Sequence, residues 1–239
     1  MSRVWTLAGF LTRDLFRSVA GILPLALALA FGFIAFEYGM DQAQFITVGG
    51  LGIGGICFIS TLLLASRANR ASTYLLLARL HRRAELLVAL ILSGLGITTL
   101  LAILIAVANM FTGRLTLESS SVAWIVPTWL PLWLLTAALA LPLSALVERG
   151  SSHLTGYVLL TALLVANDRE AWLAARGLAW LNRLVDTVLW PVKTLLSQAS
   201  AGNHDQSYLL AGALTLAYTA LLFGLTRTLF EDKDLLWPE

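Results

Sequence analysis

Six stretches of the chain are apolar and free of Asp, Glu, Lys and Arg: 19–36, 45–65, 86–111, 121–147, 154–166 and 208–226. The charges fall between them. A spanning helix needs about 20 apolar residues, so the pattern predicts an all-α integral membrane protein with six transmembrane helices. The fifth stretch is short and needs local bilayer thinning or extension into the polar edge at Asn167–Glu170. The third and fourth are long enough to tilt, and Pro127, Pro131 and Pro142 predict kinks in the fourth, because proline removes a backbone donor.

Two further segments are patterned without being continuously apolar. In 2–18, Trp5, Leu7, Phe10, Leu11, Leu15 and Phe16 alternate with Arg13, Asp14 and Arg17, the signature of an N-terminal amphipathic helix on the cytoplasmic surface. In 168–207, Arg169, Arg176 and Arg183 recur every seven residues and share one helical face. Trp172, Trp180 and Trp190 suit headgroup level, and Pro191 interrupts the run. This segment is expected to form one or two outer helices between spans five and six, ending in the polar turn 202–207.

Orientation follows from where Lys and Arg lie in the short flanks. With the N-terminus inside, the inner segments hold Arg3, Arg13, Arg17, Arg67, Arg70, Arg79, Arg82, Arg83, Arg149, Arg227 and Lys233. The outer ones hold Arg114, Arg169, Arg176, Arg183 and Lys193. Eleven against five places both termini in the cytoplasm and 168–207 outside.

Composition agrees with the pattern. The 239 residues are 58% hydrophobic and 13% charged, with a net charge of +2 and a mean hydropathy of +0.80. Soluble domains are roughly a quarter charged. So small a net charge gives no reason to expect a nucleic-acid partner. No internal repeat stands out, and the chain is expected to form a single membrane domain over 1–239. The first apolar run is followed by Glu37 and Asp41 with no small-residue cleavage site, unlike a signal peptide.

Chemistry is sparse. The single cysteine, Cys57, lies in an apolar stretch, so neither a disulfide nor a cysteine-based metal site forms within one chain. None of His81, His153 and His204 pairs with a second histidine at ligand spacing, and there is no Gly-x-Ser-x-Gly elbow. His204 and Asp205 are adjacent, which in a turn usually means two solvated groups. No metal site and no catalytic residue is expected, and the chain is not expected to be an enzyme. The two lysines, Lys193 and Lys233, belong to no phosphate-binding loop, so no cofactor is expected in this chain and ATP could act only through another subunit. No ionisable group sits at mid-span as a proton or ion relay would; sodium held by carbonyls of unwound helices stays open.

Two motifs remain. In the second span, Gly50 and Gly54 stand four apart, a spacing that lets helix backbones approach closely, within the chain or at a subunit interface. The segment 66–85 carries Arg67, Arg70, Arg79, Arg82 and Arg83 around the apolar run Tyr74–Ala78, and ends at Glu85. Arginines beside anionic headgroups explain the charge. An apolar turn on the cytoplasmic side equally suits insertion into a groove on a soluble partner.

This segment resembles the cytoplasmic signature of ABC-2-type transporter permeases. The likeness rests on Arg67, the run Leu75, Leu76, Leu77 and Ala78, then Arg82 or Arg83, and Glu85. The chain departs from it where Ala71 and Ser72 replace Gly-Thr, where Leu80 replaces Pro, and in lacking a later Gly-Lys. The order of parts extends the likeness over nearly the whole chain. The resemblance implies that 66–85 is a coupling loop on a cytoplasmic ATPase subunit, with Arg67, Arg70, Tyr74, Leu76, Leu77, Arg79, Arg82, Arg83 and Glu85 as the contact. It implies ATP and Mg in that partner, a second permease copy, identical or related, and export across a prokaryotic plasma membrane. A non-transporting membrane anchor or assembly subunit is the alternative.

Overall fold

The structure is a computed structural model that describes residues 2–68, 84–117, 119–144 and 179–231. The fifth apolar stretch, most of 66–85 and the first part of 168–207 lie outside these residues. The described chain is helical, its one backbone bridge being an isolated pairing of Met40 with Leu115.

Among the described residues, seven helices carry the fold. They are α1 (Ser2–Phe16), α2 (Ile22–Tyr38), α3 (Gln42–Ala68), α4 (Ala84–Phe111), α5 (Ser119–Ala140), α6 (Ala179–Ser200) and α7 (Gln206–Glu231). Five of them, α2, α3, α4, α5 and α7, are long and apolar enough to cross a membrane, making this a multi-pass membrane protein. α4 has 28 residues, or about 42 Å at 1.5 Å per residue, which exceeds the ~30 Å hydrocarbon core. A helix of that length tilts or extends beyond the apolar slab.

The bundle has two ends. α3 runs parallel to α5, because Gly50 meets Trp129 and Gly54 meets Trp133 and Thr136. α4 runs against α3, with Gly94 at Thr61, and parallel to α2, with Gly32 at Ile105. α7 starts beside the start of α5, where the Tyr208 and Thr128 hydroxyls lie 3.0 Å apart. The start of α4 and the ends of α3, α5 and α7 thus share one end with α1. At the other, Gly39 and Gly113 take positive φ in the turns after α2 and α4, and the Met40 N–H donates to the Arg114 carbonyl.

Close approaches between helices use glycine. A Cβ on Gly94 would stand 2.2 Å from Thr61 Oγ1, on Gly52 2.4 Å from the Phe31 ring, and on Gly50 2.8 Å from Trp129 Nε1. At each contact the glycine leaves room for a side chain of the facing helix, which lets α4, α2 and α5 pack closely against α3. Hydroxyls inside the bundle mostly bond their own helix one turn back: Thr98 to the Gly94 carbonyl, Thr128 to Trp124 and Thr215 to Ala211. No water competes for them in hydrocarbon.

The fourth apolar stretch helixes only as far as Ala140, two residues before Pro142. Pro127 and Pro131 lie inside α5 without ending it. Pro191 likewise leaves α6 continuous, where the sequence suggested an interruption. Each such proline costs a helical hydrogen bond; Pro191 lies on the same buried face as Val185, Leu195 and Ala199, whose packing offsets that loss.

Candidate functional site at the α1 end of the bundle

α1 does not rest its whole apolar surface on lipid. Leu7, Ala8, Leu11 and Leu15 form one ridge, and all four are buried in the main core with residues of α3, α4 and α5. The Ser93 hydroxyl of α4 lies 3.0 Å from the Ala8 carbonyl and 2.8 Å from that of Ala89. Between α1 and α2 the chain turns through Val19–Gly21. Gly21 is required there, since a Cβ would lie 2.6 Å from the Leu15 carbonyl.

These contacts fix the level of α1. Gly32 faces Ile105. Stepping back along the parallel helices α2 and α4 brings the start of α2 to about the level of Ser93. Ala8 is also at Ser93, so α1 crosses the bundle where the first span begins. The segment of α4 from Ala84 to Ser93 continues past it.

Where α3 ends, Arg67 turns back to α1. Its Nε donates to Asp14 Oδ2 at 2.7 Å, and Nη2 reaches the same oxygen at 2.7 Å. The Arg67 side chain is 11% exposed and that of Asp14 43%. A guanidinium so enclosed needs an acceptor, whereas the carboxylate keeps part of its hydration. The pair joins α1 to the residue from which 69–83 departs. Glu85 sits in the first turn of α4, where the chain returns, with Oε2 buried and unbonded among the described residues. An acidic residue there complements the helix dipole.

Of the expected coupling residues, Arg67 and Glu85 lie in this region. Arg70, Tyr74, Leu76, Leu77, Arg79, Arg82 and Arg83 lie outside the described residues. Arg13 and Arg17 are exposed on or just beyond α1, while Asp14 is half-buried against Arg67. Gly50 and Gly54 of the second span both meet side chains of this chain: Gly50 lies tight against Trp129 and Leu196, and Gly54 is in ordinary contact with α5.

The opposite end is aromatic. Trp124 stacks on His204 with centroids 3.8 Å apart, and Tyr208 stands edge-on to Trp124. The Trp129 indole N–H donates to the Ile46 carbonyl at 3.0 Å, within the π-helical turn Phe45–Gly49 that opens α3. Asp205 caps α7 instead of joining His204: its Oδ1 accepts from Ser207 Oγ at 2.6 Å and the Tyr208 N–H at 3.1 Å. The Ser207 hydroxyl, then the Tyr208 amide, hold its carboxyl below the usual carboxylate range. No group of three His, Cys, Asp or Glu stands at metal-binding geometry among the described residues.

Sequence reasoning missed the Asp14–Arg67 pair, Ser93 and the Gly94–Thr61 contact. The only available signal for the first was an acid alone among arginines on α1. Comparison with protein-family models, with curated proteins and with solved structures finds no match to this chain.

Proposed function

We propose that the chain is the membrane permease subunit of an ATP-driven, ABC-2-type exporter in a prokaryotic plasma membrane. In this reading both termini are cytoplasmic and 66–85 engages a separate ATPase. The observation that carries the reading is the Asp14–Arg67 ion pair, which ties the helix crossing the bundle to the exit point of the basic segment. A loop that must transmit motion needs a rigid base. Here α1, the end of α3 and the start of α4 meet through buried contacts, so a displacement of 69–83 would pass into three elements together. Five apolar helices without a mid-span charge supply no ion relay of their own, which agrees with a driving force delivered from outside the membrane. Their uncharged surfaces suit a lipid-like or amphiphilic cargo.

The test is ATPase stimulation in the reconstituted complex. Replacing Leu76 and Leu77 by Asp should abolish stimulation while leaving insertion intact. Unchanged stimulation by a correctly inserted double variant would remove the coupling role and favour a non-transporting anchor.

A further inference from the structure

We propose that the outward face of α1 is a binding surface for anionic phospholipid headgroups, so that this helix is held between the protein on one side and a charged leaflet on the other. The inference is independent of what the chain transports. The ridge that an interfacial helix would ordinarily present to lipid, Leu7, Leu11 and Leu15, is occupied by the bundle. A second pattern remains on the exposed side. Going round the helix from the buried ridge, Trp5 and Phe16 come first, both exposed, with Trp5 at 64%. Arg13, Arg17 and Arg3 follow, also exposed, with Phe10 among them. Asp14 then closes the circle against Arg67.

The occupant follows from three facts. The flank is positively charged, and the only acid of the helix, partly exposed at its edge, is engaged in an ion pair with Arg67. The helix lies at the level where the first span starts, where headgroups are. Aromatic rings beside arginines at that depth let the rings enter the acyl boundary while the guanidinium groups reach phosphate. Each arginine near an anionic surface adds attraction that salt screens. Three of them give on the order of a hundredfold preference for a charged over a neutral leaflet. Because Asp14 is on the same helix, lipid held here also steadies the Arg67 clamp.

The full chain supplies the test. A Cβ at Gly9 meets nothing within 4 Å and projects between the aromatic and basic flanks. A spin label there, on a Gly9→Cys, Cys57→Ala background, reports burial of this face through collisions with a water-soluble relaxant. In nanodiscs of phosphatidylcholine with phosphatidylglycerol the collision rate should be severalfold lower than in phosphatidylcholine alone. High salt, or replacing Arg3, Arg13 and Arg17 by Gln, should restore it, while replacing the three by Lys should not. Equal rates in neutral and anionic discs, or shielding that survives the Gln replacements, would overturn the proposal. So would shielding that appears only with a soluble subunit bound, which would make the face a protein contact.

Discussion

Arg67 and Asp14, 53 positions apart in sequence, share one carboxylate oxygen at 2.7 Å and so join the helix before the first span to the end of the second. Charged hydrogen bonds contribute about 1.5–3 kcal/mol, and the larger loss comes from leaving an enclosed charge without its partner. Asp14→Ala should therefore destabilise the chain by about 1–3 kcal/mol, read by unfolding in mixed micelles. Arg67→Gln should cost less, because Asp14 keeps partial hydration. In a double-mutant cycle the coupling should be favourable; zero coupling would mean that the ion pair does not hold α1.

The Gly94–Thr61 contact sets how closely α3 and α4 approach. A methyl at Gly94 would stand 2.2 Å from Thr61 Oγ1, while one at Gly96 meets nothing. Gly94→Ala should cost about 1–3 kcal/mol through overpacking, and Gly96→Ala should be neutral or slightly stabilising. Thr61→Ala removes the obstructing oxygen and should recover most of the loss. If both alanine variants behave alike, helix approach is not governed at this contact.

These two glycines mark how far sequence reaches. Charge-free stretches have a length set by the bilayer, so the five described spans were visible at once, with ends a few residues off. An all-round apolar helix has no periodicity to reveal its packed side, and Gly94 and Gly96 look alike until α3 is placed. Amphipathic α1 announced itself through Leu7, Leu11 and Leu15, yet the same pattern serves a lipid or a protein neighbour, and only the fold shows the ridge buried in the bundle. Asp14–Arg67 needs two distant segments brought together, which no local rule supplies.

Asp205 gives a pH-dependent prediction. Its folded-state pKa is lowered by the Ser207 hydroxyl and the Tyr208 amide. A depressed carboxylate contributes stability above its unfolded pKa and loses it as pH falls through the lower folded value. The cap is therefore complete at neutral pH and fails only in acid, below the ordinary aspartate range. Hydrogen exchange of the Ser207–Leu209 amides, corrected for intrinsic rates, should accelerate there, and Asp205→Ala should show the same fast exchange at neutral pH. Unaltered protection in the variant would assign the order of this turn to the Trp124–His204 stack.

Topology is testable with thiols. The eleven-to-five asymmetry of Lys and Arg predicts that Ser2 and Glu239 face inside and Gln198 outside. Cys57 is buried and free, so a Cys57→Ser background clears the only native thiol. With single cysteines at the three positions and an impermeant reagent on intact cells, only position 198 should label. Reaction at 2 or 239 would invert the bundle and put the basic segment on the wrong side for a cytoplasmic ATPase.

The final prediction concerns stoichiometry. If the chain is a permease, the working unit should contain two of them, identical or related, because a six-helix bundle is expected to leave little room for a path between its own helices. Among the described residues Thr61 lies close against Gly94 and Trp129 against Gly50, and Leu141 and Phe230 are fully buried, so the seam between two bundles is the expected route for cargo. Glycine variants cannot decide this. Gly50→Leu would strike Trp129 and Leu196 of its own chain and impair folding whether or not a second copy exists. The deciding measurement is native mass spectrometry of the functional complex in nanodiscs. Two permease chains with the ATPase are expected, and an active complex that holds a single permease chain would defeat the prediction.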